Sequence, residues 1–169
     1  QNYIEERVTE SLGLLYENHY PYRQMTTSRD IRHSPIHEKL ASHNACFGES
    51  AGWERPNWYA PKGVDPKYEY SFGKQNWFEY SAAEHRAARE KVVMFDQSSF
   101  SKYLVQGRDA CKVLQRISSA NVDVELGRMV YTHWLNDRGG IEADLTVTRL
   151  AEDQYWIVSG APQTIKDLN

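Results

Sequence analysis

The sequence predicts an α+β fold in which a largely antiparallel sheet is flanked by helices. Two observations point to this class. From residue 73 onward, patterns typical of a helix, a strand and a second helix are followed by three strands in succession. The turn before the second of these three strands reads "DRGG", a glycine-containing loop of the kind that closes β-hairpins. Strands joined by such short loops pair antiparallel, because parallel pairing needs a long crossover connection.

The first 72 residues are expected to form an irregular connector with helical and aromatic segments, and residues 73–169 a second domain. A helix is predicted near the start of the connector, since apolar residues there recur at near-helical spacing: Ile4, Val8, Leu12 and Leu15. Ser34 and Pro35 are residue types that open helices, so a second helix is expected to start with them. The residues expected to face inward on it are Ile36, Leu40 and Ala41.

Residues 45–70 combine glycine, proline and several aromatic side chains. Glycine and proline oppose regular structure, so this stretch is expected to be a loop. Its aromatic content argues against a disordered linker, because disordered segments are poor in large aromatic side chains. We therefore expect a packed, irregular loop in which Trp53, Arg55 and Trp58 anchor an interface.

Each element of the second domain has a local signal. Ser81 and Glu84 have the spacing of a capping box, which predicts a helix from there to about Val93. A strand is expected to end at Gly107, and Asp109 to cap the next helix. The buried face of that helix is predicted from its apolar spacing: Ala110, Val113, Leu114 and Ile117. The three final strands are predicted over residues 129–136, 141–150 and 154–158.

The "DRGG" loop sets the register of the hairpin around it. Pairing the two residues that flank the loop places three pairs opposite one another: His133 with Asp144, Tyr131 with Thr146, and Leu135 with Glu142. The first two pairs would form a polar, aromatic patch, while Thr132, Trp134, Ala143 and Leu145 face the other way. Two interpretations stay open: a solvent-exposed cross-strand pair, or a site where a heteroaromatic ring stacks while the acid accepts its N–H.

Composition excludes several classes of function. The formal net charge is −3 and the basic residues are scattered, so neither nucleic acid nor an anionic membrane is expected as a partner. No apolar run approaches the length of a membrane helix. The two cysteines, Cys46 and Cys111, lack the spacing of a zinc site or a disulfide framework, so no metal is expected. A reducing compartment is expected: the bacterial cytoplasm, or the mitochondrial matrix if the source is eukaryotic.

Two groups of motifs carry a family resemblance. The stretch "SPIHEKLASHNACFGESAGWERPNWYAP" resembles the connector of the flavin-dependent sarcosine and dimethylglycine dehydrogenases. The later stretches "FDQSSFSKYLVQGRDA", "VYTHWLNDRGG", "ADLTVTRL" and the terminal "KDL" resemble the start of the aminomethyltransferase (glycine-cleavage T-protein) fold. Connector followed by T-protein-like domain is the order of the methylglycine dehydrogenases. The chain is therefore expected to be a fragment of such a protein, truncated within its folate-binding domain.

The resemblance implies an FAD-dependent oxidative demethylase of N-methylglycines, whose folate domain captures the one-carbon unit as 5,10-methylenetetrahydrofolate. The chain has no Gly-x-Gly-x-x-Gly after a strand, so FAD is expected only in the parent protein. The implied partners are a small-molecule substrate, the flavin domain and the C-terminal folate subdomain of the same chain, and the fragment alone is expected to be inactive. Two alternatives remain: a non-catalytic regulatory paralogue that resembles the pyruvate dehydrogenase phosphatase regulatory subunit, and a flavin-free folate-dependent aminomethyltransferase or demethylase.

The resemblance also implies site residues. The acid of the "GG-x-x-x-D-L" strand, Asp144, matches the catalytic carboxylate on the N10 side of tetrahydrofolate, and the tyrosine of "VYT", Tyr131, matches a folate contact. Thr146 lies on the same predicted face. Gly160, in "VSGAP", stands in a segment near the folate where T-proteins have an asparagine. Thr146 and Gly160 are both assigned to folate binding, with Gly160 departing from the asparagine of the T-proteins.

Overall fold

The structure is a computed structural model that describes residues 2–167. Gln1, Leu168 and Asn169 lie outside the described residues, and with them the last residue of the "KDL" motif. The chain divides into two compact units, Gln1–Ser98 and Ser99–Asn169. Contacts thus group residues 73–98 with the first unit, while the domain boundary between residues 72 and 73 stays a prediction.

Helix α1 (Asn2–Tyr16) opens the first unit where the apolar spacing predicted a helix. Helix α2 (His37–Ser42) follows Ser34 and Pro35, as expected. It begins later than predicted, because Ser34 closes a turn instead: its Oγ accepts from the Ile36 N–H at 3.3 Å. Leu40 is buried but Ala41 is exposed, so the inward orientation predicted for Ala41 is wrong.

Residues 45–59 form a β-hairpin, and the prediction of a loop was wrong for this part of 45–70. Strands β1 (Ala45–Ser50) and β2 (Trp53–Tyr59) pair antiparallel. The turn between them is possible because Ala51 and Gly52 both adopt positive φ, 53° and 81°. Trp58 is 1 % exposed and sits in the core of this unit with Cys46, so it is not an interface anchor.

Helix α3 (Phe78–Glu90) begins three residues before the predicted capping box. Glu84 does not cap it, because the Glu84 carboxylate accepts a hydrogen bond from the Tyr59 N–H at the end of β2, at 2.9 Å. Leaving a backbone N–H unpaired at the end of a strand costs free energy. The Tyr59 N–H and the N-terminus of the helix therefore compete for the Glu84 carboxylate. The helix also ends before Val93, at Glu90.

The second unit is a four-stranded antiparallel sheet with one helix. Its elements are β3 (Ser101–Gln106), α4 (Ala110–Ile117), β4 (Met129–Leu135), β5 (Ile141–Ala151), β6 (Gln154–Ser159) and a 3₁₀ turn (Ala161–Gln163). The strand order is β3-β6-β5-β4, with every neighbouring pair antiparallel. The α+β class and all four strand positions predicted in this part of the chain are confirmed.

The core of the second unit lies between α4 and one face of the sheet. Leu114 on α4 is 1 % exposed and clusters with residues of β5 and β6, among them Val147, Tyr155 and Ile157. Val113 is 53 % exposed, so its predicted burial is wrong, since only a narrow stripe of this short helix meets the sheet. Asp109 precedes α4 but makes no side-chain capping bond.

Two further properties concern the molecule as a whole. Over residues 2–167, no helix is both long enough and apolar enough to span a bilayer. Cys46 and Cys111 are both free thiols.

Candidate functional site

The β4–β5 hairpin has the register that its loop predicted. His133 lies opposite Asp144 and Tyr131 opposite Thr146. The prediction fails next to the loop, because the register shifts between Trp134 and Leu135. Ile141 lies opposite Leu135 and not opposite Asn136, so Leu135 does not lie opposite Glu142. The shift leaves Glu142 as the extra residue of a β-bulge, so the predicted pairs hold only on the side of the bulge away from the loop.

The two faces of the hairpin differ as predicted. Thr132, Ala143 and Leu145 are buried on one face, each at most 4 % exposed. On the other face Tyr131 is 61 % exposed, and its ring meets the His133 ring edge-on, with centroids 5.5 Å apart and planes at 71°. An edge-on arrangement suits the ring quadrupoles. The result is an accessible aromatic and polar surface around Asp144.

Tyr131 and Asp144 are diagonal neighbours across the two strands, close enough for their side chains to interact. Hydrogen bonding to the Asp144 carboxylate raises the pKa of Tyr131 above its ordinary value of 10.0. The phenol is therefore protonated at neutral pH and can donate to the Asp144 carboxylate.

A concave pocket of about 430 Å³ opens beside this hairpin. Its lining consists of Phe100, Ile141, Glu142, Ala143, Asp144, Gly160, Pro162 and Gln163. Asp144 lies near the start of β5 and Gly160 directly follows the end of β6. The structure thus brings residues from two different strands to one pocket. Tyr131 and Thr146 do not line it but lie on the open sheet face next to Asp144.

Some lining residues were not foreseen from the sequence. Glu142 could have been found, since it lies two residues before Asp144 on the same side of β5. Pro162 and Gln163 could not, because they reach the pocket only through the turn that follows β6.

Gly160 has φ −64° and ψ 140°, an extended conformation open to any residue, and a Cβ there would meet only Pro162 Cδ at 3.9 Å. An asparagine at this position would therefore meet no steric obstacle.

The arrangement suits a ligand that has a flat ring and N–H donors. A carboxylate at the rim can accept an N–H, while the neighbouring aromatic rings offer a stacking surface. Among residues 2–167, no group of three or more His, Cys, Asp or Glu side chains is placed to hold a metal ion.

Comparison with protein families gives two matches. Residues 36–169 match the family described as the GCVT N-terminal domain. Residues 1–34 match the FAD dependent oxidoreductase central domain.

Three curated relatives illustrate the similarity. The chain is 50% identical to 4-methylaminobutanoate oxidase (formaldehyde-forming) of Paenarthrobacter nicotinovorans over 94% of its length. It is 35% identical to the mitochondrial sarcosine dehydrogenase of Homo sapiens in a match that covers 88% of this chain. It is 30% identical to the mitochondrial pyruvate dehydrogenase phosphatase regulatory subunit of Mus musculus in a match that covers 98% of this chain. The chain spans 19% of the length of each of these relatives.

A solved structure with a related fold is glycine cleavage system aminomethyltransferase T from Bartonella henselae. The two structures superpose with a TM-score of 0.65 at 27% sequence identity. The match covers 82% of this chain and 34% of the other.

Proposed function

The chain belongs to the family of the GCVT N-terminal domain, and from this premise we propose that its pocket binds tetrahydrofolate within an FAD-dependent oxidative demethylase of N-methyl amino acids. The match of residues 1–34 to the central domain of FAD dependent oxidoreductases supports the flavin part of this proposal. The names of two relatives, a 4-methylaminobutanoate oxidase and a sarcosine dehydrogenase, support the class of substrate.

The observation that carries the folate part is the position of Asp144. Asp144 lies opposite His133 and diagonally across from Tyr131, and it lines a pocket of about 430 Å³ together with Gly160. A pocket of this size, with a rim carboxylate and a flanking aromatic surface, fits the flat ring and N–H groups of a reduced pterin.

When bound, tetrahydrofolate supplies two amine nitrogens, N5 and N10, that together can carry a one-carbon unit. Asp144 would accept a hydrogen bond from N10–H and would take that proton when N10 bonds to the one-carbon unit, which the flavin-oxidised amine delivers as an iminium and which leaves that amine as their C–N bond breaks. The same carboxylate stabilises positive charge that develops next to it. Tyr131 donates to Asp144 and fixes the carboxylate's orientation, while Thr146 and Gly160 contact the ligand on either side.

The proposed substrate is an N-methylglycine, sarcosine or dimethylglycine. The 50% identity to a 4-methylaminobutanoate oxidase makes 4-methylaminobutanoate, a longer N-methyl amino acid, the other candidate. The remaining folate contacts and the FAD site are proposed to come from other parts of the same protein. Residues 1–169 alone are accordingly proposed to be inactive. The two free cysteines support a reducing compartment, a bacterial cytoplasm or a mitochondrial matrix.

A second candidate is a regulatory protein without amine oxidation. It is favoured by the 30% identity to a phosphatase regulatory subunit over 98% of this chain.

The proposal is tested on the intact protein with the three amines, an artificial electron acceptor, and tetrahydrofolate either present or absent. We expect amine-dependent reduction of the acceptor by a yellow protein, with formaldehyde as the product without tetrahydrofolate and 5,10-methylenetetrahydrofolate with it. A protein that binds a phosphatase and oxidises no amine would establish the regulatory alternative. A colourless protein that transfers a one-carbon group would establish the flavin-free one.

A further inference from the structure

Three motifs of the second unit meet at one end of the pocket. Asn136 comes from "LN-x-x-GG", Glu142 from the strand that follows those glycines, and Lys166 from "KDL". Asn136 Nδ2 donates to Glu142 Oε1 at 2.7 Å, and Lys166 Nζ lies 2.7 Å from Glu142 Oε2. Lys166 Nζ also donates to the backbone carbonyl of Glu142, at 2.6 Å. The Glu142 carboxylate is thus held from both sides.

Asn136 is itself held by the hairpin loop. Its Oδ1 accepts from the Arg138 and Gly140 N–H groups at 3.0 and 2.9 Å, and its own N–H donates to the Gly140 carbonyl. A Cβ on Gly140 would lie only 2.9 Å from Asn136 Nδ2, so the glycine leaves the space that this side chain occupies. The loop therefore presents Asn136 to Glu142 in one orientation.

The opposite wall of the pocket is the segment 160–167, which follows β6. Two of its bonds tie it to β3 and β6: the Tyr103 hydroxyl donates to the Thr164 carbonyl at 2.8 Å, and the Ser159 hydroxyl donates to Asp167. Lys166 ties the same segment to β5 through Glu142. Since Glu142 on β5 and Gly160 and Gln163 in the segment 160–167 all line the pocket, the ion pair joins two of the elements that line it.

We propose that Lys166 and Glu142 are positioning residues that clamp the segment 160–167 to β5 and so set the width of the folate pocket beside Asp144. The identity of the ligand rests on the proposed function, whereas the clamp itself does not. Both side chains are about half exposed, 50% and 44%, and exposed ion pairs add little to global stability. Loss of the pair should therefore loosen the pocket wall and leave the protein folded.

The test compares three variants of the intact protein with the wild type. Lys166→Met removes the charge and the donor, and Lys166→Arg keeps both. Lys74→Met breaks an exposed Lys–Glu pair outside the pocket, with Glu79, and serves as the control. Amide hydrogen exchange over residues 160–167 is measured without ligand. The Kd for 5-formyltetrahydrofolate and the KM and kcat of the tetrahydrofolate-dependent step are then measured.

We expect Lys166→Met to speed exchange in the segment 160–167 and to raise the folate Kd and KM about two- to fivefold, the range for one exposed charge pair. The kcat should stay within about twofold, because Asp144 is untouched. Lys166→Arg should restore the wild-type values, and Lys74→Met should change none.

Unchanged exchange in Lys166→Met would overturn the clamp. Faster exchange with unchanged folate affinity would overturn the positioning role. If the wild type binds no folate, the proposed function fails, and the exchange measurement alone decides whether the clamp exists.

Discussion

His133 lies directly opposite Asp144 in the β4–β5 ladder, on the solvent-facing side of the sheet. The neighbouring Tyr131 ring meets His133 edge-on, and Tyr131 is also the diagonal neighbour of Asp144 across the two strands. Three side chains that could each have been isolated surface groups therefore form one cluster at the rim of a pocket. This cluster is the basis of the first two predictions.

Replacing Asp144 by asparagine should separate the two halves of the reaction in the intact protein. Amine oxidation should continue at the wild-type rate, because the flavin chemistry does not involve Asp144. Formation of 5,10-methylenetetrahydrofolate should fall by about 10²- to 10⁴-fold, the usual contribution of a general base, and formaldehyde should appear instead. Both products can be quantified in one reaction. Glu152→Gln, at an exposed acid in the β5–β6 turn, is the control, and equal coupling in both variants would contradict the assigned role.

The Tyr131–Asp144 hydrogen bond predicts an alkaline limb in the pH profile of the folate-dependent step. The pKa of Tyr131 is raised above 10.0, so its donor is present below that raised value and is lost as the pH rises through it. Tyr131→Phe should lower the folate-dependent rate at neutral pH by about three- to tenfold, the effect of one hydrogen bond. The same change should abolish the limb. Tyr16→Phe, at an exposed tyrosine of α1, should leave the profile unchanged. An alkaline limb that persists in Tyr131→Phe would assign it to another group.

A buried ion pair in the first unit predicts sensitivity to acid. Glu54 is 4 % exposed and accepts from Arg29 Nε at 2.8 Å and from the Asp30 N–H at 2.9 Å. Burial alone would raise the pKa of Glu54, but the bonds from Arg29 and Asp30 lower it below 4.5. A lowered pKa stabilises the fold above the unfolded value of about 4.5, and this stability is lost as the pH falls through the folded value.

Glu54→Gln leaves Arg29 without its counter-charge and should destabilise the first unit by about 3–5 kcal/mol. It should also remove part of the acid dependence described above. Thermal denaturation of the intact protein between pH 3 and pH 7 measures both effects. Glu38→Gln, at an exposed acid of α2, should change stability by less than about 0.5 kcal/mol. Equal losses in the two variants would contradict the importance of the buried pair.

The one-sided burial of α4 predicts a contrast between adjacent positions. Leu114 is 1 % exposed and Val113 is 53 % exposed. Leu114→Ala should cost about 2–5 kcal/mol, because it leaves a cavity between the helix and the sheet. Val113→Ala should change stability by at most about 0.5 kcal/mol. Urea denaturation of the two variants checks this, and a large loss in Val113→Ala would mean that this face is covered in the intact protein.

Local patterns determined much of this protein. The family resemblance based on quoted motifs is confirmed by the matches of residues 36–169 and 1–34. The strands of the second unit and the pairing of His133 with Asp144 followed from alternation and one tight loop. These features were predictable because a slip of one residue would turn Ala143 and Leu145 to solvent.

The errors at Glu84 and Trp58 share one cause, which is contact with partners that are distant in sequence. Glu84 has the spacing of a helix cap, yet it pairs with the Tyr59 N–H, 25 residues away in sequence. Trp58 looked like an interface anchor and lies in a core, because residues 45–59 fold into a hairpin around a turn with two positive φ values. Propensity and spacing describe a segment by itself and contain no information about such partners.

By itself, the sequence determined the α+β class, the hairpin register and the position of Asp144 on an open face, all of which depend on interactions between near neighbours. Only the tertiary structure decided that Asp144 and Gly160 line one pocket and that Lys166 reaches Glu142 across 24 residues. Those contacts depend on where the chain after β6 returns relative to β5. That path is set by the packing of the whole sheet, which no local pattern encodes.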